Sequence, residues 1–376
     1  METLPPEILG AVAFELPVAD IRNFRLVSQR CAYAGFSALV RHISFLNTAQ
    51  TVDELQTLRQ SRYASFGATR QLTIYDGAWP LTSSEEEWAT HPHFLSGEHR
   101  ECTRTLTQRA YECYQDFIRR EGSRTLETDT DLFSTLLAGF PSLRVVTLSH
   151  VHSWRRERLN LAHYRKLTDS IWMIPFFESF VSEGLVRLLP TLNDYPRLKR
   201  LNVDGILDPR DLPVGPHTTI CYLYLNSILV GQGLKDSIVS FLGSFPELTK
   251  LAIRTSPIGP FDHQRLPMHE LQWSNLQFFT IVSSVVSEDE LFSFTKRHNL
   301  RHLCLKQIML TNGSWKSFFC RIRGLTFRPK IVIRGILTAA GLLLASPNSD
   351  SQRRLDRFLG RKNFPWPFPD PDSDVP

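Results

Sequence analysis

Long apolar runs are missing from this 376-residue chain. The longest, Gly335 to Ala345, covers about eleven residues, whereas a spanning helix needs about twenty. No membrane partner is expected. A basic-then-apolar opening segment is missing too, since the start is acidic and polar with early prolines. The six cysteines, at positions 31, 102, 113, 221, 304 and 320, have no short paired spacing. They read as free thiols in a reducing compartment, so a cytoplasmic or nuclear location is expected.

Catalytic signatures are equally scarce. The chain has no G-x-x-x-x-G-K-[ST] phosphate loop, no G-x-G-x-x-G, no G-x-S-x-G elbow and no H-E-x-x-H. One dense group of potential metal ligands, His91, His93, His99 and Cys102, matches no standard zinc spacing, and Pro92 suits a loop. These histidines read as structural or incidental. Asp129 and Asp131 fall where a helix should start, and Asp is favoured there as a cap. His150 and His152 follow a strand and read as surface polar residues. Asn312-Gly313-Ser314 matches a glycosylation sequon but reads as a turn in a cytosolic chain. No cofactor, no metal and no enzymatic activity are expected. A metal- or nucleotide-dependent enzyme would need a metal at His91 and His93.

What is present is an ordinary globular composition, with 42% hydrophobic and 22% charged residues. The length exceeds what one compact core usually spans, so two units or an elongated repeat array are expected. The net charge of +5 is small, and the basic residues are spread along the chain. The densest basic group, Arg155-Arg156-Glu157-Arg158, is short and interrupted, and it reads as a solvated helix face. No nucleic-acid partner is expected.

The first forty-odd residues fit three short helices. Pro5 and Pro6 suit a first helical turn, where missing N–H groups would have no intrahelical partner. Glu7 in that turn is favoured by the helix dipole. Ile8, Leu9, Val12 and Leu16 follow at helical spacing. Pro17 opens a second helix, with Ile21 and Phe24 one turn apart. Ser28 can cap a third, carrying Tyr33, Phe36 and Val40 on one face. Three such helices cannot hide all of these apolar side chains by themselves. The rest of the chain or another protein must cover some of them.

Leu4-Pro5-Pro6-Glu7-Ile8-Leu9, Leu16-Pro17, Asp20-Ile21 and Arg25-Leu26-Val27-Ser28-Gln29-Arg30 resemble the F-box. That family's pattern runs Leu-Pro-x-Glu-Ile/Leu, Leu-Pro-x-x-Asp-Leu, then Leu-x-x-Val-Ser-x-x-Trp. The likeness covers about residues 3–42, and Cys31 stands where an aromatic usually follows Val-Ser. The resemblance implies docking on the SKP adaptor, and through it a cullin, by Leu4, Pro5, Ile8, Leu9, Leu16, Pro17, Leu26 and Val27.

Downstream, Thr51 to Gln60 reads as a helix, and Arg70 to Asp76 as a strand with one buried face. Residues 81–130 read as an irregular helical insertion. From about residue 131 a short helix recurs, followed by Phe/Tyr-Pro and then by Leu-x-x-Leu-x-Val/Ile/Leu. Examples are Phe140-Pro141-Ser142-Leu143, Tyr195-Pro196-Arg197-Leu198 and Phe245-Pro246-Glu247-Leu248. With residues 198, 221, 248, 276 and 300 as register, the steps are 23, 27, 28 and 24. Those lie in the roughly 20–29 range of leucine-rich repeats. Lys330 to Arg334 can be the last strand, and residues from Ser346 read as a loose or extended tail.

The expected fold is α/β: three N-terminal F-box-like helices (1–45), a helical linker with the first strand and the insertion (46–130), a leucine-rich-repeat-like solenoid (131–345) and a Pro/Asp-rich tail (346–376). The combination resembles the large group of fungal F-box proteins. It implies a substrate-recognition adaptor of a Skp–cullin–F-box ubiquitin ligase, which would bind an unknown protein substrate through its repeats. The alternative is a non-ligase binding scaffold that uses the F-box only for assembly or stability.

Overall fold

The computed structural model describes residues 4–60, 66–95, 104–151, 161–176, 180–210, 212–231, 233–257, 265–339, 342–344, 349–361 and 363–368. Among these residues the fold is mixed α/β, with thirteen α-helices and ten strands. The chain divides into two compact units, Met1–Leu198 and Lys199–Pro376.

The first unit opens with α1 (Pro6–Glu15), α2 (Val18–Arg25) and α3 (Gln29–Leu39). Their start signals are those of the sequence. Pro6 occupies the first turn of α1, Pro17 precedes α2, and the Ser28 hydroxyl accepts the Cys31 N–H at 3.2 Å to cap α3. Leu9, Ala13, Phe24, Cys31 and Ala34 form the core of this bundle. The face expected for α3 is corrected in part. Val40 is buried, but Tyr33 is 79% exposed, because Cys31 and Ala34 are the residues turned inward.

Three parallel strands follow: β1 (His42–Leu46), β2 (Gln71–Asp76) and β3 (Val145–His150), with His42 beside Gln71 and Gln71 beside Val145. The expectation of one buried face on β2 is overturned. Leu72, Thr73, Ile74 and Tyr75 are all buried, so both faces are covered. Tyr75 packs with Leu46, Val151 and Tyr164 of α8 (Leu161–Ile171), which fills the second face.

The other helices of this unit are α4 (Ala49–Gln60), α5 (Glu85–Thr90), α6 (Arg104–Gly122), α7 (Leu126–Ala138) and α9 (Ser182–Leu192). The irregular stretch after β2 has its own core of Trp88, Tyr114, Phe117, Ile171, Trp172 and Met173. Buried polar tips are matched there. Trp88 Nε1 donates to the Ile171 carbonyl at 3.3 Å, and the Tyr114 hydroxyl donates to the Pro80 carbonyl at 2.8 Å.

The second unit is built on β4 (Arg200–Leu207), β5 (Tyr222–Val230), β6 (Lys250–Pro257), β7 (Phe278–Val286), β8 (His302–Leu310) and β9 (Lys330–Ala339), each parallel to the next. β10 (Leu342–Leu344) turns back antiparallel on β9. α10 (Lys235–Gly243), α11 (Glu288–Arg297) and α12 (Trp315–Arg323) make the connections after β5, β7 and β8.

One buried row runs Leu201, Leu223, Leu251, Phe279, Leu303, Ile331 across the paired strands. A second runs Val203, Leu225, Ile253, Ile281, Leu305, Ile333. The row before the strands is Leu198, Ile220, Leu248, Leu276, Leu300, all 1% exposed or less. The register at Cys221 was therefore one residue late. The Cys221 N–H bonds the Lys199 carbonyl as the Thr249 N–H bonds that of Cys221, so Ile220 is the counterpart of Leu198 and Leu248.

The stretch after Ser346 is not a loose tail throughout. α13 (Ser349–Gly360) buries Leu355, Phe358 and Leu359. Gln352 accepts the Ile333 N–H and donates to the Ile331 carbonyl, closing part of the free edge of β9. Trp366 packs on Phe319 and Phe358 with ring centroids 5.9 and 5.4 Å away.

A buried imidazole gives this unit a pH dependence. His298 accepts the Trp273 N–H on Nε2 at 3.2 Å, which leaves Nδ1–H to donate to the Phe294 carbonyl at 2.9 Å. This arrangement requires the neutral ring, and burial lowers its pKa from 6.5. A depressed histidine pKa means that the unfolded chain binds the proton first as pH falls. His298 thus contributes stability above pH 6.5 that is lost progressively below it. Urea unfolding followed from pH 7.5 to 5 should show the loss, and His298→Gln should flatten the profile in that window.

Candidate functional site

The residues expected to dock on a partner separate into two groups. Leu9 is 1% exposed, and Leu4 and Leu16 pack against the same bundle core. These three hold the helices together. Pro5 and Pro17 are exposed, as are Ile8 at 47%, Val27 at 54% and Leu26 at 86%. Ile8 and Val12 lie one turn apart on the outer side of α1. Leu26 and Val27 occupy the tight link between α2 and α3, where the Leu26 N–H bonds the Asn23 carbonyl and the Val27 N–H that of Phe24. Both side chains are therefore presented by a fixed backbone.

Gly35 permits the close packing behind that link. A Cβ there would lie 2.5 Å from Arg25 Cγ. Arg25 in turn donates to the Ala32 carbonyl at 3.3 Å and stands over the Phe36 ring. Arg30 donates to the Leu4 carbonyl at 2.8 Å, tying the start of the chain to α3.

A cleft of about 830 Å³ lies at the carboxyl ends of β1 and β2, lined among others by Asp76, Trp79, Glu121, Arg124, Phe180 and Arg187. Such strand ends are common ligand positions in open α/β sheets. Here the cations are already committed. Arg124 donates from Nε to Asp129 Oδ1 at 2.8 Å and from Nη1 to Glu121 at 2.9 Å. It also reaches the Asn47 carbonyl at 3.0 Å and Asn47 Oδ1 at 2.7 Å. Arg187 Nη1 lies 3.1 Å from Asp129 Oδ2. Burial pushes the Asp76 and Glu121 carboxyls above their usual range, opposed by Arg187 at the first and by Arg124 at both. The Glu121 carboxylate also accepts the Ala49 N–H at 2.8 Å at the start of α4. Gly184 makes room for the cluster, since a Cβ there would collide with Asp76 Oδ2.

Asp129 is therefore not the cap that its position suggested. Thr125 caps α7 in a capping box with Thr128, and Asp129 is the 1%-exposed centre of an ion network. The sequence carries no local sign of this, because Arg124 and Arg187 are 63 residues apart. The network joins β1, β2, α6, α7 and α9, and its chemistry is structural.

His91 and His93 are part-buried. The His93 N–H donates to His91 Nδ1 at 3.1 Å, and His93 Nδ1 lies 3.2 Å from the Pro175 carbonyl. His99, Cys102 and His152 lie outside the described residues, as does the run Arg155 to Arg158. Among the described residues no three potential ligands gather to hold a metal, and no helix is long and apolar enough to cross a membrane. Neither a protein-family model nor a curated protein matches the chain.

Removing Asp129 should leave the buried Arg124 and the part-buried Arg187 without their shared carboxylate. Breaking such a buried pair from one side costs about 3–5 kcal/mol. Asp129→Ala is expected to lower the chemical denaturation midpoint by a corresponding amount, and Asp131→Ala, on the exposed side of α7, to leave it unchanged.

Proposed function

We propose that this chain is an F-box-type substrate-recognition adaptor. Its N-terminal helices would dock on the SKP adaptor of a Skp–cullin–F-box ubiquitin ligase, and its leucine-rich-repeat-like second unit would hold the protein to be modified. The observation that carries the reading is the exposure of Leu26 and Val27. They belong to the Arg25-Leu26-Val27-Ser28 stretch that resembles the family's Val-Ser segment, and the helical core closes without them. Fixed, exposed apolar side chains are what a partner buries as anchors.

Cys31 bears on this. It is 0% exposed and turned into the bundle, so the departure from the family's aromatic falls in the core. The outward-facing set of Pro5, Ile8, Pro17, Leu26 and Val27 is kept.

The second unit supports the other half. Its buried row at 220, 248, 276 and 300 repeats at steps of 28, 28 and 24 residues, within roughly the 20–29 of leucine-rich repeats. Each strand with its connection buries an apolar face only against the next copy. In this role the chain makes and breaks no bond. It holds two proteins on one polypeptide, so the transfer between them becomes effectively intramolecular.

The test is capture of purified SKP adaptor by the full chain. Leu26→Asp with Val27→Asp should weaken capture by roughly 30-fold or more, since an anchor contributes about 2 kcal/mol. The circular dichroism spectrum should not change, because neither residue belongs to the core. Undiminished capture would overturn the assignment. Capture of the adaptor without any cullin would instead favour a binding scaffold that uses these helices for assembly.

A further inference from the structure

The strands of the second unit have a second face. The residues between the buried ones point away from the apolar rows and, apart from the buried Asn202, remain partly open to solvent. The strand register brings them into three outward rows. The first runs Arg200, Tyr222, Lys250, Phe278, His302, Lys330, each beside the next. The second runs Asn202, Tyr224, Ala252, Thr280, Cys304, Val332, and is small-sided from β6 onward. On β6 to β9 the third is Arg254, Val282, Lys306, Arg334.

Six cations thus share the face: Arg200, Lys250, Arg254, Lys306, Lys330 and Arg334. One acid, Asp204, accompanies them, and it accepts a hydrogen bond from Asn226. None of the six forms an ion pair among the described residues. The basic residues are scattered in sequence, and the parallel register gathers them.

We propose that this face binds an acidic, extended segment of a partner protein, lying across the strands in the trough between the two cationic rows. The proposal rests on the reading of the second unit as the target-holding part, and it names the chemistry of that target. The geometry fits an extended chain. The floor of Ala252, Thr280, Cys304 and Val332 leaves room for a backbone. Side chains of an extended peptide alternate from side to side, so successive acids would reach the Lys250/Lys330 row and the Arg254/Lys306/Arg334 row in turn. The four strands β6 to β9 at about 4.8 Å spacing give a trough of about 14 Å, the length of about four extended residues.

The aromatic side chains argue against single-stranded nucleic acid, whose bases need open ring faces. Arg200 already stands over Tyr222 at 4.2 Å, and Lys250 over Phe278 at 4.7 Å. Phe278 is stacked on His302, with ring centroids 4.6 Å apart and planes 10° apart. These rings hold the cations in place and are not free as stacking platforms.

The test uses the full chain and a fluorescein-labelled Glu/Ser peptide of repeated Glu-Glu-Ser, which sends neighbouring acids to opposite sides, read by fluorescence anisotropy. A Lys/Ser peptide and a short oligo-dT serve as comparison probes. The Glu/Ser peptide should bind, and added salt should weaken it, as for exposed charges. Lys306→Glu with Arg334→Glu should weaken it roughly tenfold or more, a change of about 1.4 kcal/mol. Arg104→Glu with Arg109→Glu, exposed on α6 and equal in charge change, should leave it unaffected. Lys306→Gln with Arg334→Gln provides a milder pair should the reversal disturb folding, which circular dichroism reports. Absent peptide binding, binding by both pairs of face variants as tight as that of the unaltered chain, or tighter binding of oligo-dT would each overturn the proposal. SKP-adaptor capture is measured on the same variants. Lost peptide binding with capture intact supports the face as the site, and peptide binding in a chain that captures no adaptor leaves the face proposal standing while the ligase reading falls.

Discussion

One-sided burial is the constraint on which the second unit depends. Each strand from β4 to β9 carries apolar residues at alternate positions, so one strand alone leaves a greasy stripe in water. Pairing in parallel register aligns these stripes into continuous rows, and α10, α11, α12 and α13 complete the cover. The rows at Leu201 and Val203 are nearly dry along their whole length. Neighbouring helices are locked by polar contacts as well. The Glu288 carboxylate accepts from Ser314 N–H, the Ser317 hydroxyl and Arg321 at 2.9, 2.6 and 3.0 Å, binding α11 to α12. Gly313, at φ +85°, gives that carboxylate its space, since a Cβ would lie 2.2 Å from Glu288 Oε2. The same alternation that fills the core frees the opposite face from any packing duty, so its residues can serve recognition.

The first unit meets its constraint differently. Its strand β2 is covered on both faces, and its charged cluster is sealed by pairing. An arginine with every donor near an acceptor, as at Arg124, contributes order to the loops after β1 and β2 and offers little to a ligand. Within the N-terminal helices, by contrast, the core is satisfied by small residues such as Ala13, Cys31 and Ala34. Small residues bring helices close together, and this closeness pushes the larger Ile8, Leu26 and Tyr33 outward.

Much of the strand pattern of the second unit was legible because its signal is local. The Leu-x-x-Leu-x-Leu phrase fixes a turn and two inward positions, and these recur often enough to be counted. The slip at Cys221 shows the limit of that signal: Ile220 and Cys221 are both apolar, and only the backbone bonds to Lys199 decide between them. α13 was legible in principle, since Leu355, Phe358 and Leu359 sit at helical spacing. The surrounding Pro/Asp-rich composition outweighed it. The Arg124–Asp129–Arg187 network was not legible, because no local pattern links charges that meet only after α6, α7 and α9 have packed. The outward cationic rows were half legible. β4, β6, β8 and β9 each show basic residues, but the face exists only once the register is known.

The two classes of charge in this protein differ in what they can still do. At the cleft Arg124 is already held by four acceptors, and a new anion would have to break existing bonds to that arginine. On the open sheet face the cations are partly or fully exposed and form no ion pairs among the described residues, so an arriving carboxylate need break no salt bridge. Arg200 and Lys250 are restrained by aromatic rings, which lowers the ordering cost of a contact. A restrained, hydrated, unpaired charge is suited to recognition, whereas a buried and saturated one is suited to holding loops. This distinction assigns the cleft to architecture and the sheet face to binding, although the cleft is the deeper of the two.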